Sequence, residues 1–277
     1  EVSSLVYAEN LLTIIEELDD EKFAALFTTI LNGHDIDAEA LTKAANDYTT
    51  QPSDAGLKTI ANIAEPGWIE LFRRLNATTK GTVRLVRLRE RLLKLIRQKP
   101  EIARIDVGLI GLLRNWFNPG FLILEPIDWS TPANILEKII AYEAVHAITS
   151  WDELRARLAP EDRRCFAFFH PAMPDEPLIF VEVALTTEIP RRIDDVLALQ
   201  RDASKANEAT TAVFYSISNC QNGLAGISFG NFLIKRVARH LRGELPNLTR
   251  FVTLSPVPGL MKWLAVNHPD INKIFAG

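Results

Sequence analysis

The chain has 277 residues, 47% hydrophobic and 24% charged, with a formal net charge of −4. These are ordinary globular proportions, and they exclude disordered, collagen-like and coiled-coil classes. The slight acidic balance exposes no basic excess to a nucleic acid or an anionic membrane. Two cysteines, Cys165 and Cys220, are too few for a disulfide framework or a four-ligand zinc site. A reducing, cytoplasmic compartment is the simplest expectation. No apolar run approaches the roughly 18 residues of a membrane span. The first ten residues carry Glu1 and Glu9 and no basic residue, so no signal peptide is expected there. The sequence starts at Glu1 rather than Met and stops at Gly277 just after an apolar stretch, so both ends are expected to be trimmed.

Taken in chain order, residues 1–118 read as helical. From Leu5 to Leu18 apolar residues recur three and four apart, with Glu9, Glu16 and Glu17 on the other face. Asp35 or Asp37 caps a helix through Leu41, and Ser53 caps Ala55–Ala64, which Pro66-Gly67 terminates. Thr82–Gln98 sets Val83, Val86, Leu88, Leu92, Leu93 and Ile96 among Arg84, Arg87, Arg89, Arg91, Lys94 and Arg97. The basic run lacks interleaved aromatics, so it reads as a solvated face or one facing an acidic partner subunit. A last helix, Ile105–Trp116, ends at Asn118-Pro119-Gly120.

Beyond that point the grammar changes. Three of the 15 prolines lie before residue 119 and the rest after it. Phe121–Leu124 reads as a short strand, Pro132–Ala144 and Trp151–Leu158 as helices. Arg164–Phe169, Leu178–Leu185, Thr211–Ser218 and Arg250–Leu254 read as strands, with a helix over Ile227–Leu241. The expected fold is α+β in two domains: 1–118 all-α, and 119–277 α/β with a central mixed sheet.

The stretch from Thr211 to Pro258 carries the chemistry. A strand runs into Ser218-Asn219-Cys220-Gln221-Asn222-Gly223-Leu224-Ala225-Gly226, and a helix follows. A glycine-bearing loop at a helix N-terminus offers unpaired backbone N–H groups and a partial positive charge to an anion. Gly223, Gly226 and Gly230 either let the backbone approach a diphosphate or serve a tight turn and close helix packing. Neither the dinucleotide glycine fingerprint nor a P-loop is present. Ser255 ends the following strand before Pro256 and Pro258. If the two strands are parallel neighbours, its hydroxyl lies at the same sheet end as the loop; the alternative is a turn residue before proline.

Phe168-Phe169-His170-Pro171, Glu176 to Thr186, Phe214 to Ser218, Gly223-Leu224-Ala225-Gly226, Phe232 to Arg236 and Leu254-Ser255-Pro256-Val257-Pro258-Gly259, in this order and spacing, resemble the malonyl-CoA decarboxylase family, most nearly its bacterial members. The resemblance implies a helical N-terminal domain, which builds a homo-oligomer (a dimer or tetramer), and a catalytic domain similar to the GNAT-type acetyltransferases. It implies conversion of malonyl-CoA to acetyl-CoA and carbon dioxide without metal or organic cofactor, coenzyme A being part of the substrate. It implies substrate contacts over Ala225, Gly226, Ile227, Ser228, Phe229, Gly230 and Asn231, and a catalytic Ser255. Leu224 stands where the acetyltransferase loop often has a glycine. The family's proton-donating histidine falls well beyond this segment, outside the residues given, so the catalytic domain is expected to be incomplete at its C-terminus. His170 reads as structural and His268 as a loop residue. Trp68, Phe72 and Leu75 are candidates for the oligomer surface, although such a stripe more commonly packs in a core. An acyl-CoA acyltransferase and a non-catalytic acyl-CoA-binding assembly protein are the alternative readings.

Overall fold

The computed structural model describes residues 2–198 and 203–268. Two compact units emerge. One is made of residues 1–123 with 169–176 and 221–229, the other of 124–168, 177–220 and 230–277.

The first unit is helical: α1 (Val2–Glu17), α2 (Asp20–His34), α3 (Ala38–Thr50), α4 (Asp54–Ile63), α5 (Gly67–Asn76), α6 (Gly81–Leu95) and α7 (Ala103–Trp116). Short polar side chains start three of them by accepting an orphan N–H: Asp19 from Lys22, Asp37 from Ala40 and Ser53 from Gly56. Asp35 is not the cap; it binds the Ile36 N–H and pairs with Arg104. The core gathers Leu12, Ile15, Phe23, Phe27, Phe72, Leu75, Leu85, Leu92, Leu109 and Leu113, all 1% exposed or less. Trp68, Phe72 and Leu75 belong to this core, which removes them from any oligomer surface. At Gly108 an added Cβ would lie 2.2 Å from the Trp68 ring, so glycine is what lets α7 approach α5.

The basic face of α6 is solvated in part, as expected, with Arg87, Lys94 and Arg97 exposed, while Arg84, Arg89 and Arg91 are drawn into the helical unit. Its acidic partners come from the same chain. Arg84 pairs with Glu9 and Glu16 on α1, Arg91 with Asp20 on α2 and the Leu18 carbonyl, and Lys94 with Glu90 one turn back. Arg89 is buried, 2% exposed, against Asp106 of α7.

The second unit is built on one sheet in the order β1 (Ile123–Ile127), β2 (Arg163–Phe169), β3 (Ile179–Thr186), β4 (Thr211–Asn219) and β5 (Arg250–Thr253). β2, β3 and β4 are antiparallel neighbours, and β4 pairs with β5 in parallel. The sheet is covered on both faces, which explains why β3 is nearly all buried. One face meets α11 (Gly230–Glu244), where Phe168 stacks on Phe232 and Leu233, Val237 and Leu241 are buried. The other meets α10 (Ile193–Leu197), where Val196, Ile193 and Leu197 pack on Ala184, Val213 and Tyr215. The helices α8 (Ala133–Tyr142) and α9 (Trp151–Leu158) lie between β1 and β2 in the chain, and α12 (Leu260–Asn267) follows β5.

The mixed α+β architecture agrees with the sequence reading. Two boundaries shifted for local reasons. The long helix starts at Gly230 rather than Ile227; Ala225 and Gly226 form a turn, with Gly226 at φ +84°, and residues 227–229 carry no regular structure. The first strand occupies Ile123–Ile127, after a turn at Pro119–Phe121 capped by the Asn118 side chain.

Candidate functional site

Gln221–Phe229 folds with the helical unit. A single helical turn at Asn222–Leu224 is closed by N–H bonds from Leu224 to the Gln221 carbonyl and from Ala225 to that of Asn222. Gly223 and Leu224 are buried, while Ala225, Gly226 and Ser228 are exposed. A Cβ on Gly223 would meet the Val86 carbonyl oxygen at 1.9 Å, so this glycine serves close approach to α6. Gly226, at φ +84°, occupies the left-handed region that an L side chain enters at a cost of about 1 kcal/mol or more. At Gly230 an added Cβ would find only Ile179 at 3.8 Å, so packing leaves room for a side chain there. Among the described residues, the N–H groups of Gly226, Ser228 and Phe229 have no protein acceptor. Gly230 and Asn231 open α11, whose first-turn N–H groups have no intrahelical acceptor. Gly226 and Ser228 are thus exposed backbone donors, the chemistry an anion requires.

In the second unit, Ser255 follows the carboxyl end of β5 and is exposed. The parallel register pairs Thr253 with Phe214, and the last ladder bond runs from the Leu254 N–H to the Phe214 carbonyl at 2.8 Å. β4 continues to Asn219 with no described strand on that flank. Ser255 lines a cleft of about 360 Å³ with His146, Arg191, Arg192, Ile193, Thr253, Leu254 and Pro256. A hydroxyl, an imidazole and two guanidiniums in one cleft suit a small anionic head group.

His146 was missed by sequence reasoning. The segment that carries it is held by Glu143, whose carboxylate accepts the N–H groups of Val145 (2.9 Å) and His146 (2.7 Å). The same carboxylate accepts the hydroxyls of Ser216 (2.7 Å) and Ser218 (3.1 Å) on β4. The only trace in the sequence is a glutamate three residues before a histidine, which fits many turns. Beneath this lies Glu182 of β3, fully buried, with Oε2 taking a bond from Arg157 at 2.9 Å and the Tyr215 hydroxyl also acting on the carboxyl. Burial pushes its carboxyl up from 4.5 to about 7, against the pull of the Arg157 guanidinium.

Of the other histidines considered, His170 belongs to the helical unit. Its Nε2 bonds the Trp116 carbonyl at 3.0 Å and its ring packs on Phe117, with burial lowering its pKa, a structural role as expected. His268 ends α12 beside Trp263. Among the described residues, no group of three His, Cys, Asp or Glu side chains could hold a metal ion, and no helix is long and apolar enough to cross a membrane.

Residues 34–117 match the family model described as malonyl-CoA decarboxylase N-terminal domain, and residues 120–275 the corresponding C-terminal domain. The chain is 53% identical to the crystal structure of malonyl-CoA decarboxylase from Agrobacterium vitis, with a TM-score of 0.89 over 95% of this chain and 64% of that one. It is 50% identical to the Rhodopseudomonas palustris structure of the same name, with a TM-score of 0.88 over 97% of this chain and 65% of that one. It is 40% identical over 205 residues to mitochondrial malonyl-CoA decarboxylase of Anser anser anser, spanning 72% of this chain and 40% of the relative. The chain thus spans about two fifths of the curated relative and somewhat under two thirds of the solved chains. These matches run through both units, and the chain belongs to the malonyl-CoA decarboxylase family.

Proposed function

We propose that this chain binds malonyl-CoA and converts it to acetyl-CoA and carbon dioxide. The observation that carries the reading is the exposed Ser255 just past the end of β5, in the cleft that it lines. The exposed Gly226 and Ser228 offer their N–H groups to the diphosphate, and Phe229, Gly230 and Asn231 remain candidates for further contacts. Ala225 and Ile227 shape the loop that presents them. The malonyl head enters the Ser255 cleft.

The chemistry asks little more of the protein. The bond between the methylene and carboxylate carbons breaks, carbon dioxide leaves, and the electron pair passes into the thioester as an enolate. A proton then adds to the methylene carbon. The thioester is itself the electron sink, so the reaction requires neither metal nor organic cofactor. Ser255 hydrogen-bonds the malonyl group and turns its carboxylate out of the thioester plane, where the breaking bond overlaps the carbonyl π system. Self-association through the helical unit is part of the same proposal. Leu5, Val6, Tyr7 and Ile14 of α1 are among its exposed apolar residues.

The test is incubation with malonyl-CoA alone. Acetyl-CoA released without an acyl acceptor supports a decarboxylase over an acyltransferase. In Ser255→Ala, kcat falls by about 10²-fold, the usual effect of removing one positioned polar group. Near-normal turnover removes Ser255 from the mechanism.

A further inference from the structure

Arg89 is a full-length guanidinium buried in a helix core, and its donors reach a loop far along the chain. Nε and Nη2 bond the two carboxylate oxygens of Asp106 at 2.6 and 3.4 Å. Nη1 bonds the carbonyl oxygens of Gly223 at 2.6 Å and Ala225 at 2.9 Å. Val86 and Glu90, on the same face of α6, complete the seat: the Val86 carbonyl abuts Gly223, and Glu90 accepts from the Asn222 side chain at 3.3 Å. Arg114 of α7 donates to the Gly226 carbonyl at 3.3 Å.

These contacts have a directional consequence. The peptide joining Ala225 to Gly226 is trans, so its N–H points opposite to its carbonyl. Arg89 draws that carbonyl toward α6, and the Gly226 N–H is thereby turned outward without a protein acceptor. A buried ion pair is not an efficient source of stability, because an apolar pair of similar volume often does as well. Fixing the direction of two carbonyls is something an apolar pair cannot do.

We propose that Arg89, held by Asp106, is a positioning residue for diphosphate binding. It sets the orientation of the Gly223–Gly226 loop from within the helical unit, and that unit is therefore part of the substrate-binding scaffold. The inference rests on the acyl-CoA reading above. It does not require Arg89 to touch substrate.

The experiment compares malonyl-CoA with malonyl-pantetheine, which carries the same reacting head and arm but no diphosphate. The readout is the ratio of kcat/KM for the two substrates. In Arg89→Lys, which keeps the charge and loses the fork, the ratio falls about tenfold through KM for malonyl-CoA. Asp106→Asn, at a less buried position, lowers it in the same direction by about threefold, with thermal unfolding recorded for both variants. If Arg89→Lys does not fold, the Asp106 variant carries the test. A ratio equal to that of the wild type in the folded variants overturns the inference, as does an equal loss on both substrates. A wild-type protein that turns over both substrates equally well overturns the diphosphate reading itself. That result is distinguishable, because it appears before any substitution is made.

Discussion

Glu182 makes the stability of this protein depend on pH in a direction opposite to that of most carboxylates. Its side chain is fully buried on β3, with Arg157 bonding Oε2 and the Tyr215 hydroxyl also acting on the carboxyl. Burial, reinforced by the nearby Glu143 carboxylate and opposed by Arg157, raises the carboxyl to about 7 from an unfolded value of 4.5. The folded state therefore holds this proton more tightly than the unfolded chain does. The contribution is fully present below about pH 4.5 and is lost as pH rises through about 7. At 1.36 kcal/mol per unit, the span amounts to about 3 kcal/mol. Glu182→Gln keeps the shape and cannot titrate. Urea unfolding of both proteins across this range isolates the effect, since other groups titrate in both. The Gln variant should gain about 3 kcal/mol relative to wild type between pH 4 and pH 8. Parallel stability curves would refute the reasoning. A relative loss for the Gln variant would show that the Arg157 pairing outweighs burial.

Three further outcomes follow from the geometry. Gly226→Ala forces a side chain into φ +84° with its Cβ 3.0 Å from Ile110, and should raise KM for malonyl-CoA about tenfold with a smaller effect on kcat. Steady-state kinetics decides this, and an unchanged KM counts against the loop as a binding element. Gly223→Ala places a Cβ 1.9 Å from the Val86 carbonyl and should lower stability by about 2 kcal/mol or more, read from denaturant midpoints; a neutral result would mean the loop detaches freely from α6. Cys165 is fully buried, and burial raises its thiol pKa well above the ordinary value, so it should resist alkylation at pH 8 until the protein unfolds; rapid labelling of the native protein would contradict the burial.

Local signals in the sequence carried most of the fold. Periodicity marked α1, α6 and α7, and Asp37 and Ser53 announced helix starts because a cap acts within three residues. The strands were legible as β-branched and aromatic runs between turns. What escaped depends on contacts between distant segments. On a helical wheel Arg89 falls among the apolar Leu85, Val86 and Leu92 and Arg91 on the opposite side, yet nothing local says that a carboxylate of α7 and two carbonyls of the 221–229 segment meet the first. Gly223 and Gly226 look equivalent in the loop, yet one fits against a carbonyl of α6 and the other adopts a left-handed turn. The position of Ser255 just past β5 was legible because Pro256 and Pro258 end its strand, while its role was implied by the family resemblance alone. His146 joins its cleft only through folding of a segment anchored by Glu143 to β4. Glu182 left a readable trace, an acid inside the apolar run Phe180-Val181-Glu182-Val183-Ala184. Its burial between two covered faces was set by the sheet.

Diphosphate binding by the exposed N–H groups of the loop, with the acyl head in the Ser255 cleft, is the proposal on which the rest depends. A crystal structure of the protein with a non-hydrolysable malonyl-CoA analogue tests it directly. The expected result is diphosphate oxygens within hydrogen-bonding distance of the Gly226 and Ser228 N–H groups and the malonyl carboxylate in the cleft beside Ser255. A diphosphate bound elsewhere, or a head group remote from Ser255, would contradict it.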